Sequence, residues 1–256
     1  LPSPPPPVVT EADRQQARRL PRSTRFVLGE AVTPVQRAFL DEHGFLVFGA
    51  VLIPNEVAEV LAEIDGLQTR WIAEDRREVH GIRSLVGRDV RVGDREKDGL
   101  VFNRNLNVPG SAYPRLGWHT DGLRDLFLNR AVPGPMLNVG LHFDRVTKAD
   151  GGLRILPGSH RQGFLSMLAR KPYFVDHRPD RDEIAVETAP GDLTVHDGRT
   201  WHRVERSPHV GWRSLRRTMY VPYVVDAYAP KHEGSKTPFY HRLGRIPREL
   251  RVRLGR

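Results

Sequence analysis

The chain is 256 residues long, with 39% hydrophobic and 28% charged residues. That suits one large domain or two small ones at about 150 residues each, and it is too apolar for wholesale disorder. The absence of cysteine excludes a disulfide framework, a Cys zinc site, an iron–sulfur cluster and a thiol nucleophile, leaving any metal to Asp, Glu or the 11 histidines.

The formal charge is +9, and only five of 40 basic residues are lysine. The arginines are scattered with no nucleic-acid motif beside them, so a solvated basic surface is expected and no nucleic-acid partner. The longest apolar stretch, 45–54, is about half of the ~20 residues that a membrane span needs. No apolar segment led by Arg or Lys opens the chain, so no signal peptide and no membrane association are expected. Lack of cysteine fits a reducing, cytoplasmic setting.

In chain order, residues 1–28 read as a Pro/Arg-rich arm. Pro2 and Pro4 to Pro7 favour an extended segment. The charged stretch 11–25 is either a short helix docked on the body or a mobile arm. Residues 29–256 read as one domain. Thr33-Pro34-Val35-Gln36 fits a capping box with Pro at the first helical position, and Gly44 supplies the stop. A buried strand is predicted over 45–52, then a helix from Pro54 with Val57, Val60, Leu61 and Ile64 on its apolar face and Trp71 extending it. Beyond residue 98, β-like runs at 100–106, 136–144, 153–156, 184–188, 192–195 and 218–225 alternate with Gly/Pro turns. Helices first and strands afterwards indicate an α+β, mainly β fold: a sandwich or jelly roll carrying an N-terminal helical layer.

His119-Thr120-Asp121 places an imidazole and a carboxylate on one face of an extended segment. A second histidine from elsewhere would complete a two-His, one-carboxylate facial triad, the donor set of non-haem Fe(II) oxygenases. His142-Phe143-Asp144 repeats the spacing, so the pattern alone does not choose between them. Downstream lie Pro157-Gly158-Ser159-His160, a strand from Gly191-Asp192 that runs into Trp201-His202, and the run Arg216-Arg217-Thr218-Met219. In this order the motifs resemble the phytanoyl-CoA dioxygenase family, over about residues 33–225.

The resemblance implies a double-stranded β-helix (a cupin-like jelly roll) that uses Fe(II), 2-oxoglutarate and O2. It implies hydroxylation or another oxidation of an unactivated C–H bond of a small molecule, with release of succinate and CO2. By position, His119 and Asp121 match the family's first two ligands and His202 the third, with His196 as the runner-up. His142 and Asp144 fall where the family has no ligands, and His160 reads as a turn residue. Arg216 matches the anchor for the co-substrate's distal carboxylate, with Arg213 as its rival; Thr218 adds a hydroxyl and Asn107 lies nearby. An acidic residue at 121 argues for hydroxylation over halogenation, because related halogenases keep a small residue there. Substrate-lining loops are expected at 75–99, 123–131 and 164–174, where cations suit an anionic or carrier-tethered substrate. The alternatives are an inactive jelly-roll binding module with a basic surface and a cupin-type metalloenzyme that does not use 2-oxoglutarate.

Overall fold

Thr33 starts its helix through the reciprocal bonds that its spacing implies. Its hydroxyl accepts from the Gln36 backbone N–H, and the Gln36 side chain accepts from the Thr33 N–H at 2.9 Å. The computed structural model describes residues 7–73, 101–105, 107, 116–122 and 135–224. The expected loops at 75–99 and 123–131 and the chain beyond 224 lie outside these residues.

The charged stretch near the N-terminus takes the docked alternative. Thr10 and Asp13 form a second capping box and open α1 (Glu11–Arg19), whose Ala17 is fully buried. This helix packs beside α2 (Pro34–His43). Further along, the Phe26 N–H donates to Val47 O and Phe26 O accepts from Gly49 N, tying the segment to β1 (Phe45–Phe48). That strand is shorter than the apolar run suggests. Ala50 turns to φ +50° and ends it, so Val51 and Leu52 leave the sheet. Helix α3 (Pro54–Ala73) follows, and Val57 and Ile64 on its apolar face are buried.

The remaining strands are β2 (Val101–Asn105), β3 (Leu116–His119), β4 (Met136–His142), β5 (Gly152–Ile155), β6 (Ile184–Ala185), β7 (Leu193–Asp197), β8 (His202–Glu205) and β9 (Arg216–Val224). A short helix α4 (Phe164–Ala169) lies between β5 and β6. The run at 184–188 keeps only two strand residues, with Thr188 bridging Val146 alone. Strands β3 and β8 are additions: each has four residues, too few to show a clear alternation in the sequence.

Two sheets result, in the orders β1-β7-β4-β9-β2 and β3-β8-β5-β6, with every pair antiparallel. This is the expected jelly roll, the double-stranded β-helix. Helix α3 covers the outer face of the five-stranded sheet, where Leu141 and Met219 join Val57, Ile64 and Phe143. Phe39, Phe45, Phe48 and Ile155 belong to the main cluster beneath α1 and α2; each such buried side chain contributes roughly 1.5–3 kcal/mol.

Because side chains alternate along a strand, packing Leu141 and Met219 outward turns the intervening residues inward. The inner face of the five-stranded sheet is polar: Asn138 and His142 on β4, Thr194 and His196 on β7, and Arg216, Thr218 and Tyr220 on β9. Among the described residues, no helix is long and apolar enough to cross a membrane.

Candidate metal centre

Strands β3 and β8 pair so that His119 faces His202, after a register shift between Leu116 and His119. Their ring centroids are 4.1 Å apart. Each ring is oriented by its own chain: Nδ1 of His119 lies 2.8 Å from Gly117 O, and Nδ1 of His202 lies 3.0 Å from Thr200 O. An Nδ1–H donated to a carbonyl fixes the tautomer and leaves the Nε2 lone pair for a metal. Asp121 follows two residues after His119. One donor atom from each of His119, Asp121 and His202 lies within 4.8 Å of the others, and all three residues are buried.

The turn that delivers His202 is braced from two sides. Ser159 Oγ accepts from Trp201 N at 2.8 Å and donates to Leu156 O at 2.7 Å. Gly44 O accepts from Asp197 N and from the Thr200 hydroxyl. The segments around Pro157–His160 and His43–Gly44 thus act as scaffolding for the turn that carries His202. His160 is a turn residue, with Nε2 3.1 Å from Asp41 O.

Burial drives the His202 imidazole down to about 3, and His119 pushes the same way while Asp121 opposes. It is therefore neutral, as a ligand must be. For Asp121, burial opposes ionisation, but His202, His196 and His119 outweigh it and hold the carboxyl well below its usual range. The site offers two imidazoles and one carboxylate, which suits a ferrous ion.

Arg216 opens β9 and is buried. Its Nη1 donates to Glu205 O at 3.0 Å, while its Nε and Nη2 lack partners among the described residues. Burial pulls its pKa down, with Asp150 opposing, and the charge persists because arginine does not deprotonate in proteins. Two adjacent, desolvated N–H donors suit the two oxygens of a carboxylate. Its rival Arg213 is exposed. Thr218 stands two residues on, on the same face as Arg216 and opposite His142.

A family model described as phytanoyl-CoA dioxygenase (PhyH) matches residues 82–209, half of the chain. The chain belongs to the PhyH family. It is thereby an enzyme of the Fe(II)- and 2-oxoglutarate-dependent oxygenase class. No curated protein matches its sequence.

Solved structures share its fold at low identity. HygX from Streptomyces hygroscopicus, with nickel and 2-oxoglutarate bound, is 17% identical with a TM-score of 0.57, over 79% of this chain and 90% of HygX. EctD from S. alaskensis, with 2-oxoglutarate and 5-hydroxyectoine, is 16% identical at 0.54, over 87% and 88%. The epimerase SnoN, in complex with Fe3+, alpha ketoglutarate and nogalamycin RO, is 20% identical at 0.52, over 78% and 90%.

Other polar residues of this PhyH-family chain serve elsewhere. His142 Nε2 lies 2.9 Å from the Thr194 hydroxyl, and Asp144 pairs with Arg217 at 2.7 Å. Asn107, expected near the co-substrate, is buried and tied to the 206–209 loop. Its amide donates to Ser207 O and His209 O, and its carbonyl accepts from Arg206, so it clamps a loop and leaves no donor for a co-substrate. Met167 packs into the Trp118–Trp201 cluster.

Three further side chains neighbour the candidate centre, two of them from the loop expected at 164–174. Phe174 stacks on the His119 ring, centroids 4.7 Å apart, and adopts φ +61°. Tyr173 donates its hydroxyl to Thr120 O. Tyr220 hydrogen-bonds Thr194, and its phenol is raised by burial first and then by Asp121, against Thr194 and Arg216. The sequence marks the 164–174 loop and the strand that holds Tyr220, but the contacts these three make are set by the fold.

Proposed function

We propose that this chain is a 2-oxoglutarate-dependent dioxygenase that oxidises an unactivated C–H bond of a small molecule and releases succinate and CO2. One juxtaposition carries the reading: a buried His–Asp–His donor set shares the interior of the barrel with an arginine that has two N–H groups unpartnered among the described residues. His119, Asp121 and His202 would hold the ferrous ion. Bound iron, with 2-oxoglutarate and O2, supplies the oxidising power to replace hydrogen on carbon. Arg216 grips the distal carboxylate of the co-substrate, and Thr218 offers a hydroxyl beside it. The Gly117 and Thr200 carbonyls keep both imidazoles in the ligating tautomer. Burial of all three ligands keeps bulk water out. An acidic side chain at 121 occupies the position that a halide would need, which favours oxygen insertion or a related oxidation.

Anaerobic addition of Fe(II) and 2-oxoglutarate to the purified chain should produce a visible charge-transfer band. Arg216→Ala leaves the three ligands in place and should raise the 2-oxoglutarate concentration needed for that band by about 10–100-fold, the worth of a charge-assisted hydrogen bond. Arg213→Ala should leave it unchanged. No band from the iron-loaded wild type would overturn the proposal. Substrate-dependent activity that survives Arg216→Ala would indicate a metalloenzyme that does not use 2-oxoglutarate.

A further inference from the structure

Asn138 and His196 are register partners across β4 and β7, both on the inner face of the barrel. Both reach the same atom. Asn138 Nδ2 donates to Asp121 Oδ2 at 3.0 Å, and His196 Nε2 lies 3.3 Å from that oxygen. A carboxylate there requires a proton on Nε2. Nδ1 of His196 and Oδ1 of Asn138 are both buried, without partners among the described residues. Buried polar atoms are seldom left unpaired, and each exception calls for a reason. Here two residues share one reason: each forgoes a hydrogen bond at one end to present an N–H to Asp121 at the other.

We infer that His196 and Asn138 are positioning residues that lock the plane of the Asp121 carboxylate before metal binds. This rests on the reading of Asp121 as a metal ligand. Carboxylates turn easily about their terminal bond, so a free Asp121 would have to be ordered when the ion arrives. With two N–H groups on one oxygen, that ordering is already complete. His196 belongs to the centre without being its third histidine: it acts through Asp121, and His202 faces His119 directly.

The test is Co(II) titration of the metal-free 256-residue chain, followed by visible absorption, with circular dichroism to verify folding. His196→Leu and Asn138→Ala should each weaken Co(II) binding about 10–100-fold, as loss of a ligand's outer hydrogen-bond partner does. His196→Gln carries an amide N–H close to where Nε2 stood, and should recover binding to within about threefold of wild type. A folded His196→Leu chain that binds Co(II) as tightly as wild type overturns the inference. So does a His196→Gln chain that binds as weakly as His196→Leu. Should His196→Leu fail to fold, Asn138→Ala tests the same oxygen without disturbing β7, and wild-type affinity there is equally fatal. Absence of Co(II) binding by the wild type would instead overturn the metal-centre reading beneath it.

Discussion

Gly44 shows how tightly single residues constrain this centre. It sits at φ +81°, and a Cβ there would lie 2.5 Å from His160 Nδ1 and 2.6 Å from Thr200 Oγ1. Gly44→Ala therefore combines a left-handed backbone penalty with overpacking, and should destabilise the fold by about 2–4 kcal/mol in urea titrations. Metal affinity should fall with it, because Gly44 O holds the turn that carries His202. Gly44 is legible from sequence as a helix stop, and His119, Asp121, His202 and Arg216 are legible because each lies in a short motif. Asn138 is not, and His196 reads in the sequence only as a rival third ligand. They become neighbours only through the register of β4 on β7, which local pattern does not encode and which a one-residue slip would invert.

Among the elements, the N-terminal segment is joined to the strand that carries His196. The Arg25 guanidinium pairs with Asp192, which also accepts from Ala50 N and Ala189 N just before β7 begins. Arg25→Ala leaves a buried carboxylate one donor short, and should cost about 1–3 kcal/mol by chemical denaturation. Charge alone gave no sign of this, since Arg25 is one of several arginines in the stretch and its partner lies far along the chain. The docking of α1 was half legible. Its capping box, Thr10 with Asp13, is local, whereas the space that accepts Ala17 is made by α2.

Across the whole molecule, the polar interior makes the fold sensitive to acid. Burial lowers His142 to about 4 from its ordinary 6.5, against Asp192. Below pH 6.5 the unfolded chain takes up a proton there that the folded chain refuses. Stability attributable to His142 is thus full above pH 6.5 and disappears as pH falls toward 4, a loss on the order of 3 kcal/mol. Urea midpoints should drop between pH 7 and pH 5, and His142→Gln should flatten that dependence. The jelly-roll class was legible because Gly and Pro mark nearly every turn. The membership of each sheet was not, because β3 and β8 are too short to declare a face.

The pairing of His119 with His202 has a mechanical corollary. β3 lies at the border of its sheet, and it meets β8 at an irregular register. A ligated ion would clasp the two strands at the point where their ladder is weakest. Thermal melting should then rise with the logarithm of free metal concentration, by linkage. Chelator treatment should speed amide exchange along β3 and β8 before it affects β4 or β7. The ion would serve as a rivet for the barrel rim as well as a reagent.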